Sequence, residues 1–292
     1  MQKLQTPLRR LVLLAAAGLC LNPAYANSSA PASAPAANLE AALKPVLAGS
    51  WRSDKNKARD QYRHPAQTLA FFGVHPKAQV IEITPGGGAW YAEILAPLLK
   101  DQGVYIAANM SPAGLSERAA AYYKKSNEEL KQKMAANPAV FGRAASLEFE
   151  QKKPNFGPQN SADFVLTFRN VHNWTMAGTD QAMFKAAFEV LKPGGVLGVV
   201  DHRAAKGKSL EEVKKSGYLP TEYVIELAAK AGFKLDASSE VNANPKDSKD
   251  YPGGVWTLPP SFGEGDKDRA KYAEIGESDR FTLRFIKPVY DK

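Results

Sequence analysis

The chain has 292 residues, of which 44% are hydrophobic and 23% charged. That balance suits one large α/β domain, or one domain with an added arm, and excludes collagen, coiled coil and a mostly disordered chain. The formal net charge of +8 is spread along the sequence and mixed with acids, so it reads as a solvated basic surface and points to no nucleic-acid partner.

Lys3, Arg9 and Arg10 form a positive start, residues 11–21 are apolar, and Ala24-Tyr25-Ala26 is a small-x-small site. These are the three parts of a secretory signal peptide over 1–26, with cleavage expected before Asn27 and export to the periplasm. An uncleaved anchor needs about 20 apolar residues, more than this run supplies. A lipoprotein signal at Cys20 wants a small residue where Leu19 stands. Cleavage removes three basic residues, leaving +5 of the +8, and also Cys20, the only cysteine. The mature chain then has no disulfide, thiolate metal site or cysteine nucleophile. No later stretch is apolar enough to span a membrane.

Residues 27–38, rich in Ala, Ser and Pro, read as a flexible linker. The folded domain is 39–292 and opens with a helical arm over 39–73. Leu39, Ala42, Leu43, Val46 and Leu47 keep helical spacing over 39–48, and Pro45 is expected to kink or end that helix. Residues 53–63 are charged. A short helix is expected over 66–72, with Pro65 near its first turn and Gly73 as its stop.

From residue 79 the pattern alternates. Strands are expected over 79–83, 103–108, 146–150, 162–168, 196–201, 234–239 and 280–287. Helices fall between them over 89–99, 117–136, 180–191 and 221–231, and Lys192-Pro193-Gly194-Gly195 reads as a turn. Such alternation implies an α/β, doubly wound sheet covered on both faces. Continuous apolar runs such as 196–200 fit strands buried on both sides. The last strand follows a long Pro/Gly-rich insertion over 242–279, which permits an antiparallel entry at the sheet edge. A loop of that length is usually functional, and it is expected to cover the substrate side. The alternative is a surface excursion packed by its own aromatics, Tyr251, Trp256 and Phe262.

Glu82-Ile83-Thr84-Pro85-Gly86-Gly87-Gly88 leaves the first strand and enters a helix. Glycines let the main chain turn sharply and approach a ligand with no Cβ between them. A helix start at Ala89 would add free N–H groups. In open α/β sheets the ligand sits at the carboxyl ends of the strands. The loop lacks the Gly-Lys-Ser/Thr ending of phosphate loops and the G-x-G-x-x-G spacing of dinucleotide sites. An acid ahead of the glycines suits a ligand with an ammonium group, and so an amino-acid-bearing nucleoside.

This segment resembles motif I of the class I S-adenosylmethionine-dependent methyltransferases. Residues 162–174 (ADFVLTFRNVHNW) are similar to their fourth-strand motif. Residues 188–201 (FEVLKPGGVLGVVD) are similar to the following helix, turn and fifth strand, and 231–235 (AGFKL) to the start of the sixth. The likeness covers roughly Val74 to Lys287 and, with the signal peptide, is strongest to exported bacterial members. It implies a Rossmann-like, mostly parallel seven-stranded sheet with the last strand antiparallel. It implies S-adenosyl-L-methionine as cofactor, with Glu82, Gly86, Gly87 and Gly88 against the methionine part. It places Asn109 at the ribose, where the family usually has an acid, and adds Arg169 and Asn170 to the cofactor set. Thr84 stands where the first glycine is common.

Arg169, Asn170, His172, Asn173 and Trp174 follow the fourth strand on the rim that faces the cofactor. Methyl transfer needs the acceptor held in line and, for oxygen or nitrogen acceptors, a base. Histidine is the residue type suited to that base, which makes His172 the candidate. Asn170 and Asn173 are candidates to orient an acceptor, and Trp174 to stack on a ligand. The plainer alternative is a capped loop around a buried Trp. After the fifth strand, His202 is a second acid/base candidate with Asp201 orienting it, and Arg203 a candidate for an acidic substrate group. There the alternative is a salt-bridged turn. His172, His202 and Asp201 fall short of zinc's usual four ligands, so no metal is expected. His64 beside Arg63 is a candidate lid over the cofactor or a structural residue, and His75 is structural.

The leading reading is a methyltransferase acting on a small-molecule or envelope acceptor. The second is a non-catalytic exported ligand-binding protein that retains the fold. Export supports the second, because the cofactor is made in the cytosol, and so do Thr84 and Asn109. The third is another nucleotide-using enzyme, taking NAD or ATP.

Overall fold

The computed structural model describes residues 34–289. The expected signal peptide, and the linker as far as residue 33, lie outside the described residues. Seven strands form one sheet: β1 Gln79–Ile83, β2 Val104–Met110, β3 Ala145–Phe149, β4 Ala162–Phe168, β5 Leu191–His202, β6 Lys234–Ser239 and β7 Arg280–Ile286. Their order is β3-β2-β1-β4-β5-β7-β6. The pairs among β1 to β5 are parallel, and β7 lies antiparallel between β5 and β6. The mostly parallel seven-stranded sheet with an antiparallel last strand is therefore present.

Side-chain alternation along β1 explains its central place. Val80 joins the apolar cluster on one face, and Ile81 and Ile83 join the cluster on the other. Helices Ala34–Leu47, Pro65–Phe72 and Ala92–Leu99 cover the first face through Leu43, Leu69, Phe72 and Leu95. Helices Val171–Ala177, Asp180–Val190 and Thr221–Lys230 cover the second through Trp174, Phe184, Val224 and Leu227. Each such side chain contributes about 1.5–3 kcal/mol on burial.

Local signals hold where Gly and Pro punctuate. Pro65 opens the helix Pro65–Phe72 and Gly73 ends it at φ +81°. Helix Glu117–Ala136 keeps its expected bounds. Helix Ala34–Leu47 begins inside the stretch read as linker and stops two residues after Pro45.

Four expectations are revised. The helix after the glycines begins at Ala92 rather than Ala89, because Ala89 sits at φ +50° and its N–H closes a turn onto the Gly86 carbonyl. The rim after β4 is not a plain loop. It holds the helix Val171–Ala177, stopped by Gly178 at φ +66°. β5 begins at Leu191, which pairs with Ala162, while Val196 pairs with Phe164, so 192–195 bulge out between two paired positions. The insertion 242–279 contains a 3-10 turn, Gly254–Thr257, and a helix, Arg269–Ile275.

Strand order reverses between β1 and β4, the switch point at which such sheets hold ligands. Ile83 lies opposite Thr167, so the bends after β1 and β4 open side by side. Phe168 lies opposite Val200, which brings Asp201 and His202 to the same rim. Because β7 runs the other way, its first residue arrives there too, with Arg280 opposite His202. The segment leading into β7, Glu277 to Asp279, thus joins the rim. No helix among the described residues is long and apolar enough to cross a membrane.

Candidate functional site

The bend after β1 needs unusual backbone. Thr84 lies at φ +52° and Gly86 at φ +76°. A β-branched residue in the left-handed region is strained, by about 1–3 kcal/mol. Thr84 therefore keeps the backbone shape of the glycine that commonly stands there, at a cost. Its N–H donates to the Ala108 carbonyl at 2.8 Å, and its buried hydroxyl has no partner.

The three glycines divide into two roles. Gly87 donates its N–H to Ser126 Oγ at 2.7 Å, and a Cβ there would run into the Glu129 carboxylate. That glycine lets the helix Glu117–Ala136 lie directly on the bend. Gly86 and Gly88 face open space: a Cβ would meet nothing nearer than Ser126 Oγ at 4.0 Å for Gly86, and nothing within 4 Å for Gly88. The helix is held in place further along, where Lys133 pairs with Glu93. Glu93 is fully buried and also accepts from Asn56 at 2.8 Å, which ties the N-terminal arm to the same point.

Two adjoining clefts open beside the bend. The smaller, about 230 Å³, is lined by Glu82, Gly86 to Gly88, Arg59, Arg63, Trp90 and Arg169. Tyr91 and Phe168, stacked with ring centroids 3.4 Å apart, line it too. The larger, about 650 Å³, is lined by Gly86, Tyr122, Arg169, Asn170, Asn173, Trp256 and Ser261. Trp256 and Ser261 belong to the 242–279 insertion, the segment expected to cover the substrate side.

Glu82 is buried and accepts from the Tyr105 hydroxyl at 2.7 Å. Burial pushes its carboxyl up to about 8, against the lowering effects of the Tyr105 hydrogen bond and of Arg63. Asn109 does not share this space. Its amide donates to Ser146 Oγ at 2.8 Å, and it lines a separate cleft of about 400 Å³ with Asn127, Lys131 and Glu148. The helix Glu117–Ala136 stands between, with Ser126 on the bend and Asn127 donating to the Met110 carbonyl at 2.9 Å. Asn170 bridges the two strand ends, donating to the Ile83 carbonyl at 2.9 Å and to Thr167 Oγ1 at 3.2 Å. Its amide donors are spent on the fold, which leaves its carbonyl oxygen for a ligand.

The histidines pair differently from the expectation. Asp201 Oδ1 lies 2.8 Å from His172 Nδ1, so this carboxylate orients His172. Asp201 also accepts the backbone N–H of His202 at 2.8 Å, while the His202 ring bonds Ser278 Oγ through Nδ1. The rings of His172 and His202 meet edge to face at 4.9 Å. Burial, His172 and the guanidiniums of Arg169 and Arg280 hold His202 well below its ordinary range, so it is a neutral imidazole. Burial alone would raise the Asp201 carboxyl, but the two histidines and the backbone donor outweigh it and keep it ionised. Neither histidine lines the clefts beside the bend. Trp256 packs on His172 at 5.9 Å and itself lines the larger cleft. One ligand atom from each of His172, Asp201 and His202 lies within 4.8 Å of the others. Both Nδ1 atoms are already engaged, by Asp201 and Ser278.

Two further expectations change. Trp174 is buried against Phe184, ring centroids 6.3 Å apart, and is a core residue rather than a stacking surface. Arg203 is spent on Asp279, at 2.8 and 3.0 Å, and on Glu240 at 2.7 Å, which is the salt-bridged turn. His64, at φ 41°, caps two short helices, and His75 packs on Phe164.

A cluster around Glu277 was missed from sequence. Glu277 Oε atoms pair with Arg59 at 2.7 Å, Arg63 at 3.1 Å and Arg280 at 3.1 Å. Burial would raise this carboxyl, but four surrounding guanidiniums, Arg63, Arg280, Arg169 and Arg59, hold it far below the usual carboxylate range. The antiparallel entry of β7 was the one sequence signal that could have placed Glu277 here.

No protein-family model matches the sequence, and no curated protein matches it. Solved structures do match in fold. A protein from Galdieria sulphuraria assigned as a sarcosine dimethylglycine methyltransferase aligns with TM-score 0.55 and 14% identity, over 85% of this chain and 90% of that one. The [4+2]-cyclase SpnF aligns with TM-score 0.52 and 17% identity, over 87% and 94%. A SAM-dependent methyltransferase from Aquifex aeolicus covers 86% and 98% at TM-score 0.49 and 16% identity. The chain has the Rossmann-like methyltransferase fold. A cyclase among its neighbours is a reminder that the fold alone does not fix the reaction.

Proposed function

We propose that the protein is an S-adenosylmethionine-dependent methyltransferase acting on a small-molecule or envelope acceptor after export to the periplasm. The observation that carries this reading is the bend at the switch point. Gly86 and Gly88 leave open space there, and a buried acid, Glu82, lines the same cleft. That arrangement fits a cofactor with an ammonium group lying against bare backbone. When bound, the cofactor supplies a methyl group on a positive sulfur, open to a nucleophile.

The chain's own residues divide the remaining work. Glu82 receives the ammonium, and Gly86 to Gly88 admit the chain beside it. Asn170 and Arg169, shared with the larger cleft, border the reacting end. Asn173 and Trp256 hold the acceptor in the larger cleft. His172, with Nδ1 fixed on Asp201, lies behind Trp256 of the larger cleft, and its Nε2 serves as base for the acceptor's proton once that ring moves aside. His202 stays neutral and packs the base in place.

One observation favours a second reading, a binding protein without turnover. The helix Glu117–Ala136 separates Asn109 from the bend, so no described residue of β2 grips a ribose in the glycine cleft. Calorimetric titration of the mature protein with S-adenosylmethionine and S-adenosylhomocysteine tests the binding step. Saturable heat with both supports the proposal, and no heat at millimolar ligand refutes it. Methyl release from labelled cofactor onto acceptor mixtures then separates enzyme from binder.

A further inference from the structure

The glycine cleft and the Asn109 cleft are kept apart by one helix, not by the sheet. β1 and β2 are parallel neighbours, with Ile83 opposite Ala108, so the bend and Asn109 leave adjacent strand ends. Such strands lie about 4.7–4.9 Å apart. The helix Glu117–Ala136 stands between them. Tyr122 lines the glycine cleft, and Asn127, Leu130 and Lys131 line the Asn109 cleft, so the helix is a wall of both. The two touch directly at the bend. Ser126 Oγ accepts the Gly87 N–H at 2.7 Å, and the Glu129 side chain fills the space that a Cβ at Gly87 would take. A donor that bare backbone would present to a ligand is thus taken by a side chain of the helix.

What holds this helix down is unevenly spread. Leu130 packs in the apolar cluster of the first face, and Lys133 pairs with the buried Glu93, which pins the far half. In the near half, Glu117–Glu129, Ser126 alone is buried. Two side-chain hydrogen bonds tie that half to other described residues: Gly87 to Ser126, and Asn127 to the Met110 carbonyl at 2.9 Å. Residues 111–116 join it to β2, with Gly114 at φ +72° and no atom within 4 Å of a Cβ there. Segments with few buried contacts are the ones that open while the rest stays folded.

We propose that the helix Glu117–Ala136 is a gate. Its near half closes on the glycine bend, and by tilting away it joins the glycine and Asn109 clefts into one groove. The closed contact is self-inhibitory, since Ser126 holds the Gly87 N–H and the helix blocks the path from the bend to Asn109. A ligand that spans both clefts binds the tilted form alone and shifts the equilibrium towards it. That this ligand is an adenosyl cofactor rests on the function proposed above; that the helix tilts does not.

The mature chain contains no cysteine, because Cys20 is the only one and lies in the expected signal peptide. Introduced thiols therefore report cleanly. Spin labels are placed at Lys125→Cys, on the near half, and at Lys185→Cys, on the helix Asp180–Val190, both exposed positions. The distance between them is read with and without S-adenosylmethionine, and again after Ser126→Ala, which takes the hydroxyl off the bend. The mature protein alone should give one distance, and the cofactor should bring in a second. Ser126→Ala should populate the second without any ligand. A second variant, Gly87→Cys with Glu129→Cys, bolts the gate shut. A Cβ built at Gly87 lies 3.1 Å from the Glu129 Cβ, near the ~3.8 Å of a disulfide. Oxidised, this variant should bind S-adenosylmethionine at least about a hundredfold more weakly than the same protein reduced. If its reduced form fails to bind, the labelled pair, which leaves the bend unaltered, decides. Should no form bind S-adenosylmethionine, the proposed function falls, and the Ser126→Ala distances still decide the gate. Cofactor binding at an unchanged distance overturns the gate, as does equal affinity of the oxidised and reduced forms. Where no cofactor binds, a single unchanged distance in the Ser126→Ala protein overturns it.

Discussion

Replacing Glu82 by Gln should make the unliganded protein more stable and a poorer cofactor binder. Glu82 is fully buried, and its carboxyl titrates at about 8 in the fold against 4.5 ordinarily. The folded state therefore holds this proton more tightly than the unfolded chain does. Stability from the neutral carboxyl is complete below pH 4.5 and drains away as the pH rises towards 8, where the loss levels off. A shift of this size amounts to ~5 kcal/mol when fully expressed. At pH 7, with most of the titration window passed, the loss is ~3 kcal/mol. Gln carries no such titration and keeps an oxygen for the Tyr105 hydroxyl. Urea unfolding of both proteins from pH 4 to pH 9 reads the difference directly. The variant should match the wild type near pH 4 and exceed it by several kcal/mol at pH 8. Its affinity for an ammonium-bearing cofactor should fall about tenfold to a hundredfold. Identical pH slopes for the two proteins would mean that Glu82 is already ionised in the fold, and that Arg63 governs it instead.

Two other outcomes follow from the same picture. Asp201→Asn removes the carboxylate that fixes His172 Nδ1 at 2.8 Å, so methyl transfer should drop by about 10²–10⁴ with cofactor affinity held. An unchanged rate, measured by methyl release under saturating cofactor, would remove His172 from the proton path. Mass spectrometry of the N-terminus after expression with the full leader should find a chain beginning at Asn27. Retention of Met1 in membranes would contradict the export reading.

Much of the sheet was legible because its residues report their surroundings locally. The run at 196–200 is apolar without a break, as a strand covered on both faces must be, and Pro65, Gly73 and Gly232 mark helix ends by steric rules alone. The helix Val171–Ala177 escaped notice because seven residues with His, Asn and Thr among them carry too little period to read. The partner of Asp201 was misassigned because His202 adjoins it in sequence, whereas His172 reaches it only when β4 pairs with β5. Asn109 was placed by analogy at the strand end, which is correct. What keeps it from the bend is Ser126 and Lys133, ordinary surface residues on a charged helix until Gly87 and Glu93 lie beneath them. The arginine cluster was hidden most deeply. Arg59 and Arg63 lie in a charged stretch, and Glu277 meets them across more than two hundred residues.

The central claim is that the cleft above the glycine bend receives S-adenosylmethionine, and Gly88→Val tests it most directly. Gly88 lies outside the left-handed region and a Cβ there meets no atom within 4 Å, so valine should fold normally and project into the ligand's space. The account predicts saturable binding by the wild type and none by this variant at unchanged melting temperature. Equal binding by both proteins would place the ligand somewhere else.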